Sequence, residues 1–208
     1  MAVSSFSKKN AITSKALSSL SELDRAYSPS LWNNRGLSSE ETIQRHVSTT
    51  LQESKKATEE LYSKINLQYG STLKNVLDLY SSSSTVAPGA QLIAYVHGGY
   101  WQFLSKEESA FLALPICSGS PARTATIFLA VDYVLASEKQ YGQQASITGI
   151  CQQMQELFTF VGNLAQVLQC SGAHFIGHSA GAHLVATMLS QLDHAQASPF
   201  LPLVKGTR

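Results

Sequence analysis

Three short, almost unbroken apolar runs decide what this chain can fold into. They are "QLIAYVH" (91–97), "ATIFLAVD" (125–132) and "AHFIGH" (173–178). Strands buried on both faces read this way, whereas half-exposed strands alternate apolar with polar residues. Helical patterns separate and follow them. "SKEESAFLALPIC" (105–117) predicts a helix that Pro115 disturbs. Residues 143–169 predict a long helix, with Ile147, Ile150, Met154, Leu157, Phe158, Val161 and Leu164 along one side. "AGAHLVATMLSQL" (180–192) predicts a third. Strands alternating with helices make an α/β fold, a mostly parallel sheet with helices on both faces. The chain has 208 residues, enough for one such domain with a sizeable core.

The region upstream is different. "SSEETIQRHVSTTLQESKKATEELYSKI" (38–65) predicts one long amphipathic helix. Ser38 and Glu41 form a capping box, and Ile43, Val47, Leu51, Leu61 and Ile65 make its apolar face. Before it, "YSPSLW" (27–32) predicts a turn with Ser28 as N-cap and Pro29 as first helical residue. Residues 65–69 and 73–80 predict a hairpin joined through Gly70-Ser71. The expected organisation is a disordered leader over 1–23, a helical segment over 24–64, and a partial sheet domain over 65–208.

The bulk properties exclude several classes. A net charge of +1 favours neither nucleic acid nor anionic lipid. The most apolar stretch, residues 125–136, is too short to span a bilayer and holds Asp132. Three widely spaced cysteines suggest neither a disulfide framework nor a zinc site. The N-terminus has no apolar core for a secretory signal. It is rich in Ser and Lys and has no acid before Glu22, yet it also lacks the Arg of a mitochondrial presequence. A cytoplasmic protein, the nucleus included, is expected.

The chemistry is concentrated in residues 177–181, Gly-His-Ser-Ala-Gly. A G-x-S-x-G between a buried strand and a helix makes a sharp turn that exposes the serine at the positive end of the helix dipole. Ser179 is therefore the candidate nucleophile, with the Ala180 N–H aimed where an oxyanion would form. The first apolar run ends in His97-Gly98-Gly99-Tyr100-Trp101. Two glycines there let backbone N–H groups turn towards the serine, the other half of an oxyanion hole. Gly98, Gly99, Tyr100 and Ala180 are the candidate donors.

"HGGYW", "VDYVLASE" and "GHSAGAHL" resemble the α/β-hydrolase fold, and with "YSPSLW" and "HGGYWQ" they resemble the kynurenine formamidase (arylformamidase) family. The resemblance runs from about Asp24 onwards. It implies Ser179 as nucleophile and the His97–Trp101 loop shaping the oxyanion site. One departure is Ser137, where related esterases carry Pro. The implied reaction is hydrolysis of N-formyl-L-kynurenine to formate and L-kynurenine, in tryptophan breakdown. Tyr100 and Trp101 would flank the substrate's aromatic ring. No metal or organic cofactor is implied, and the only partner called for is the small-molecule substrate. The oligomeric state stays open, a homodimer included.

The serine's base is harder to place. In this fold the triad runs Ser, then Asp or Glu, then His. After Ser179 come Asp193, His183 and His194. Asp193 and His194 lie at the far end of a helix rising ~1.5 Å per residue, beyond the ~3 Å reach of a base. His183 has no acid partner in the required order. His178 is expected to pack, His174 to be structural, and His97 to belong to its loop. Asp132 is expected to help order the loops. The chain is thus expected to be truncated after the start of a strand at 201–204, without the triad acid and histidine and close to inactive alone. Two rivals remain: a general carboxylesterase, and a non-catalytic truncated partner subunit. A truncated sheet is also expected to leave residues 173–177 as an open edge, uncover Leu184, Val185 and Leu189, and favour aggregation.

Overall fold

The computed structural model describes residues 21–28, 32, 34–118, 125–140, 143–192 and 204–207. They fall into two units, Met1–Thr49 and Thr50–Arg208.

In the first unit, α1 (Glu22–Ala26) is capped by Ser21, whose hydroxyl accepts the Asp24 N–H at 3.1 Å. The Ser28 hydroxyl donates back to the Asp24 carbonyl at 2.7 Å, and Pro29, the expected first helical residue, lies outside the described residues. Most of the expected leader, residues 1–20, lies outside them too. Helix α2 (Ser39–Glu60) begins in this unit with the expected capping box. The Ser38 N–H donates to Glu41 Oε2 at 2.7 Å, and the Glu41 N–H donates to Ser38 Oγ at 3.2 Å. The Ser38 backbone N–H, and then its hydroxyl, hold the Glu41 carboxyl below the usual carboxylate range.

Helix α2 ends earlier than its apolar spacing predicts. Leu61 comes after it, and Tyr62–Gln68 form strand β1, with Ile65 exposed on the strand. The residues α2 buries are Thr50, Ser54 and Ala57, while Ile43 is exposed. β-Branched and aromatic residues in "YSKINLQ" suit a strand, and pairing with a neighbour overrides the helical periodicity.

The second unit is built on a six-stranded sheet. Its members are β1, β2 (Val76–Ser81), β3 (Gln91–Val96), β4 (Thr126–Val131), β7 (Gly172–Gly177) and β8 (Val204–Thr207). They lie in the order β1-β2-β4-β3-β7-β8. β1 and β2 form the expected hairpin, and β2 also runs antiparallel to β4. The pairs β3–β4, β3–β7 and β7–β8 are parallel. A two-stranded ribbon, β5 (Lys139–Gln140) with β6 (Gln143–Gln144), stands apart. Residues 143–144, expected as helix, belong to that ribbon, and α4 (Ile147–Val167) starts where the Ser146 hydroxyl accepts the Gly149 N–H at 3.0 Å.

Side-chain alternation sorts the core into two layers. Leu92, Ala94 and Val96 of β3 and Ile127, Leu129 and Val131 of β4 pack against α4 and α5 (Ala180–Ser190) through Met154, Leu157, Leu184 and Met188. Tyr95, Phe128 and Ala130 face the other way, onto Ala57, Leu61, Ala110, Ala113 and Cys117. The helix expected over 105–117 is broken well before Pro115. It is two 3₁₀ turns, Lys106–Glu108 and Ala110–Leu112, and then α3 (Ala113–Cys117). The Ser105 hydroxyl accepts the Glu107 N–H, and the Ser109 hydroxyl returns to the Ser105 carbonyl, so side chains compete with helical bonding there.

The C-terminal side departs from expectation. The strand expected at 201–204 is Val204–Thr207, and it pairs with Ala173, His174 and Phe175 of β7. That stretch of β7 is covered and is not an open edge. Leu184 and Val185 are buried and Leu189 is half-buried, because α4 lies alongside α5; the Gln155 side-chain amide donates to the Met188 carbonyl at 3.1 Å. Among the described residues no helix is long and apolar enough to cross a membrane.

Candidate active site

The parallel strands β3 and β7 run in register, Val96 opposite Gly177, so both end at the same level of the sheet. The segments leaving the two strands meet at that level. After β7 comes the turn His178-Ser179. Ser179 adopts φ 52° and ψ −116°, a left-handed conformation that costs a non-glycine residue ~1–3 kcal/mol. The strain is held by local bonds. The Gly181 N–H donates to the His178 carbonyl at 2.9 Å, and the Ala182 and His183 N–H groups donate to the Ser179 carbonyl at 2.9 and 3.2 Å. Ser179 is exposed at the head of α5, as the motif predicts.

Gly181 lets α5 sit this close to β3. A Cβ there would collide with the Val96 carbonyl oxygen and come within 2.6 Å of the His97 carbonyl oxygen. Gly98 serves the same end from the other side. A Cβ on it would lie 2.8 Å from the His178 carbonyl, 2.9 Å from its Nδ1 and 3.1 Å from Ser179 Cβ. The structure therefore brings Gly98 against Ser179, although the two are far apart in the chain.

The loop after β3 is strained too, with φ of 58° at Tyr100, 59° at Trp101 and 68° at Leu104, and it turns at Gly99, whose φ of 102° glycine adopts freely. It folds back on itself through the Gln102 and Phe103 N–H groups, which donate to the Gly99 carbonyl at 3.0 and 2.9 Å. The N–H groups of Gly98, Gly99 and Ala180 have no acceptor among the described residues. Tyr100 is exposed, whereas Trp101 is half-buried and meets its neighbours edge-on, Tyr100 at 6.3 Å and His183 at 5.3 Å.

The histidines separate by environment. His97 is buried, stacked on Tyr133 at 4.4 Å, with Nδ1 2.8 Å from the Gly98 carbonyl. Its Nε2 lies 3.4 Å from Asp132 Oδ1, close enough for an ion pair but without hydrogen-bond geometry. His174 Nε2 meets Gln91 Oε1 at 2.9 Å, in keeping with a structural residue. His178, expected to pack, is exposed, since the turn swings it off the end of the sheet. His183 is exposed against Trp101. Among the described residues no histidine hydrogen-bonds the Ser179 hydroxyl. Asp193 and His194 lie outside the described residues. Among the described residues no group of three or more His, Cys, Asp or Glu is placed to hold a metal ion.

Sequence reasoning gives Asp132 a role in ordering the loops, but it gives none to Tyr133 and none to the Lys106–Asp78 pair. Lys106 Nζ lies 2.8 Å from Asp78 Oδ2, both side chains buried, and Asp78 Oδ1 accepts the Asn66 N–H at 2.8 Å. This pair fastens the far end of the loop to β2. The segment after β4 holds the rest of it. The Ala136 N–H donates to the Trp101 carbonyl at 2.7 Å, and the Ser137 hydroxyl to the Gln102 carbonyl at 3.1 Å. Ser137, the departure from the esterase pattern, thus adds a tie to the loop. The string "VDYVLASE" places that Tyr two residues past a sheet strand, but nothing in its spacing specifies these partners.

The chain is 36% identical over 169 residues to a kynurenine formamidase of Danio rerio, covering 81% of this chain and 53% of the relative. It is 35% identical over 185 residues to a kynurenine formamidase of Salmo salar, covering 89% of this chain and 57% of the relative. By sequence the chain is similar to kynurenine formamidases. It spans a little over half the length of those curated relatives. No family model matches it. Among solved structures it is similar to a Silicibacter protein provisionally described as a thioesterase, with TM-score 0.61, 24% identity, and coverage of 89% of this chain and 62% of that one. It is also similar to an inhibited esterase B from Lactobacillus rhamnosis, with TM-score 0.53, 15% identity, and coverage of 81% and 55%. The fold is that of the α/β-hydrolases.

Proposed function

We propose that the chain carries the nucleophile and oxyanion donors of a serine hydrolase that converts N-formyl-L-kynurenine to formate and L-kynurenine. One observation carries the reading. Ser179, strained and exposed at the head of α5, has Gly98 of a strained glycine loop against it, in a homologue of the kynurenine formamidases. Ser179 Oγ attacks the formyl carbon and loses its proton to a histidine. The Gly98, Gly99 and Ala180 N–H groups, with Tyr100 at the rim, receive the charge on the formyl oxygen. The histidine then protonates the departing arylamine nitrogen as the C–N bond breaks, and water releases formate from the formyl-serine. We place that histidine and its acid outside the described residues. Trp101 and Tyr100 flank the aromatic ring. The reading goes with a cytoplasmic enzyme whose partner is its small substrate.

The test is hydrolysis of N-formylkynurenine by the protein isolated from its source, with a Ser179→Ala variant produced in the same background. Loss of a triad nucleophile costs on the order of a millionfold in kcat. A variant retaining more than a few per cent of activity would show that Ser179 is not the nucleophile. Preference for short aryl esters over N-formylkynurenine would favour a carboxylesterase.

A further inference from the structure

The donors proposed above must be aimed, and one side chain is placed to aim two of them. Tyr133 is fully buried two residues after the end of β4. Its hydroxyl donates to the His97 carbonyl at 3.1 Å and lies 3.4 Å from the Gly98 carbonyl. Its ring stacks on His97 at 4.4 Å, inclined by 14°. These two carbonyls belong to the peptide units that carry the Gly98 and Gly99 N–H groups. Among the described residues no peptide bond is cis. In a trans peptide the C=O and N–H point in opposite directions. Drawing both carbonyls towards one hydroxyl therefore turns both N–H groups away from it, and those groups have no acceptor among the described residues. The His97 ring adds a second restraint on the Gly98 carbonyl through Nδ1.

From this geometry we infer that Tyr133 is the positioning residue of the oxyanion loop: its hydroxyl orients the peptides that present the Gly98 and Gly99 N–H groups to the substrate carbonyl. The inference rests on the hydrolase reading for the identity of what is bound, and on the geometry alone for the orientation. Burial, with the Asp132 carboxylate adjacent, pushes the Tyr133 phenol well above its ordinary pKa, so it stays a donor at any working pH. Glycine peptides are the ones most in need of such a restraint, because glycine itself restricts its backbone least.

Tyr133→Phe keeps the ring and the stack and deletes only the hydroxyl. In ¹⁵N-labelled protein, the Gly98 and Gly99 amide resonances should shift and broaden, with Gly172 and Gly177 unmoved. In hydrolysis of N-formylkynurenine, kcat should fall roughly 10- to 100-fold with KM within about threefold, since only transition-state stabilisation is lost. 4-Aminophenylalanine at 133 restores a donor and should restore both readouts. Unmoved glycine amides, or a raised KM with unchanged kcat, would overturn the inference. Should the Phe variant fail to fold, the carbonyl ¹³C resonances of His97 and Gly98 in the unmutated protein decide. Both lie downfield of Gly172 if the hydroxyl is bound, and positions like Gly172's overturn the inference. If the unmutated protein neither hydrolyses N-formylkynurenine nor is labelled on Ser179 by a fluorophosphonate, the hydrolase reading fails. The glycine resonances then still report whether Tyr133 sets the loop.

Discussion

The turn after β7 and the loop after β3 meet at Gly98, yet they are held by different means. The turn is held locally: its strained Ser179 is pinned by N–H groups no more than four residues downstream, in the first turn of α5. The loop is held from a distance. Tyr133, Ala136 and Ser137 tie it to the segment after β4, and Lys106 ties it to Asp78 on β2. A locally wound turn needs only its own few residues to form. A loop fastened by remote partners forms only when the sheet has been assembled.

Lys106→Met tests this most severely. It leaves Asp78 buried with its charge unpaired, and breaking a buried pair from one side costs ~3–5 kcal/mol. Denaturant unfolding should show that loss, and amide exchange should quicken at Gln102 and Phe103 while 181–184 stay protected. Equal quickening in both segments would abolish the distinction. Gly181→Ala strikes the turn instead. The new methyl meets the Val96 carbonyl backbone, which has little room to move, and overpacking of this kind costs ~1–3 kcal/mol. Here protection should fall first at 178–184, and an unchanged midpoint would mean that α5 slides without cost.

Alkaline pH sharpens the comparison further, because the loop's clamp contains a titrating group and the turn's bonds do not. Burial raises the Tyr133 phenol above its ordinary value of 10.0, and burial raises the Cys117 thiol from 9.0 to about 11. In both cases the unfolded chain gives up its proton first. The stabilisation is complete below the unfolded value and is lost as pH rises, through 9 to 11 for Cys117 and from 10 upwards for Tyr133. Unfolding midpoints should fall over that window, and Cys117→Ala should remove part of the early fall, with the buried Cys151 and Cys170 thiols keeping the rest. A flat profile from about pH 9 to about pH 11 would contradict it. The smallest effect belongs to Ser137→Ala, which removes one exposed hydrogen bond to Gln102, worth ~0.5–1 kcal/mol. A loss above about 2 kcal/mol would make this tie far more than a local one.

The three central strands and the turn were legible in the sequence because each is specified by its neighbours. Continuous apolar runs have few alternatives to a buried strand, and Gly177-His178-Ser179-Ala180-Gly181 carries its own turn chemistry. The end of α2 was not legible. Leu61 and Ile65 continue a helical spacing, but Tyr62–Gln68 gain more by pairing with β2. The pattern at 105–117 read as one helix because its serines' bonds back to the chain are invisible in an apolar count. β8 closes the edge of β7 through pairing across some thirty residues of chain, which no local window contains.

The pieces that the sequence determined by itself are therefore those with short-range causes: three buried strands, the capping box at Ser38, the exposed serine at the head of α5, and a glycine pair after β3. Only the tertiary structure decided which remote groups aim that glycine pair. The hydroxyl of Tyr133 and the amine of Lys106 act on carbonyls and carboxylates 28 to 36 positions away in the chain. Hydrogen bonds of that span depend on where the sheet's register puts each strand end, and register is a property of the assembled sheet.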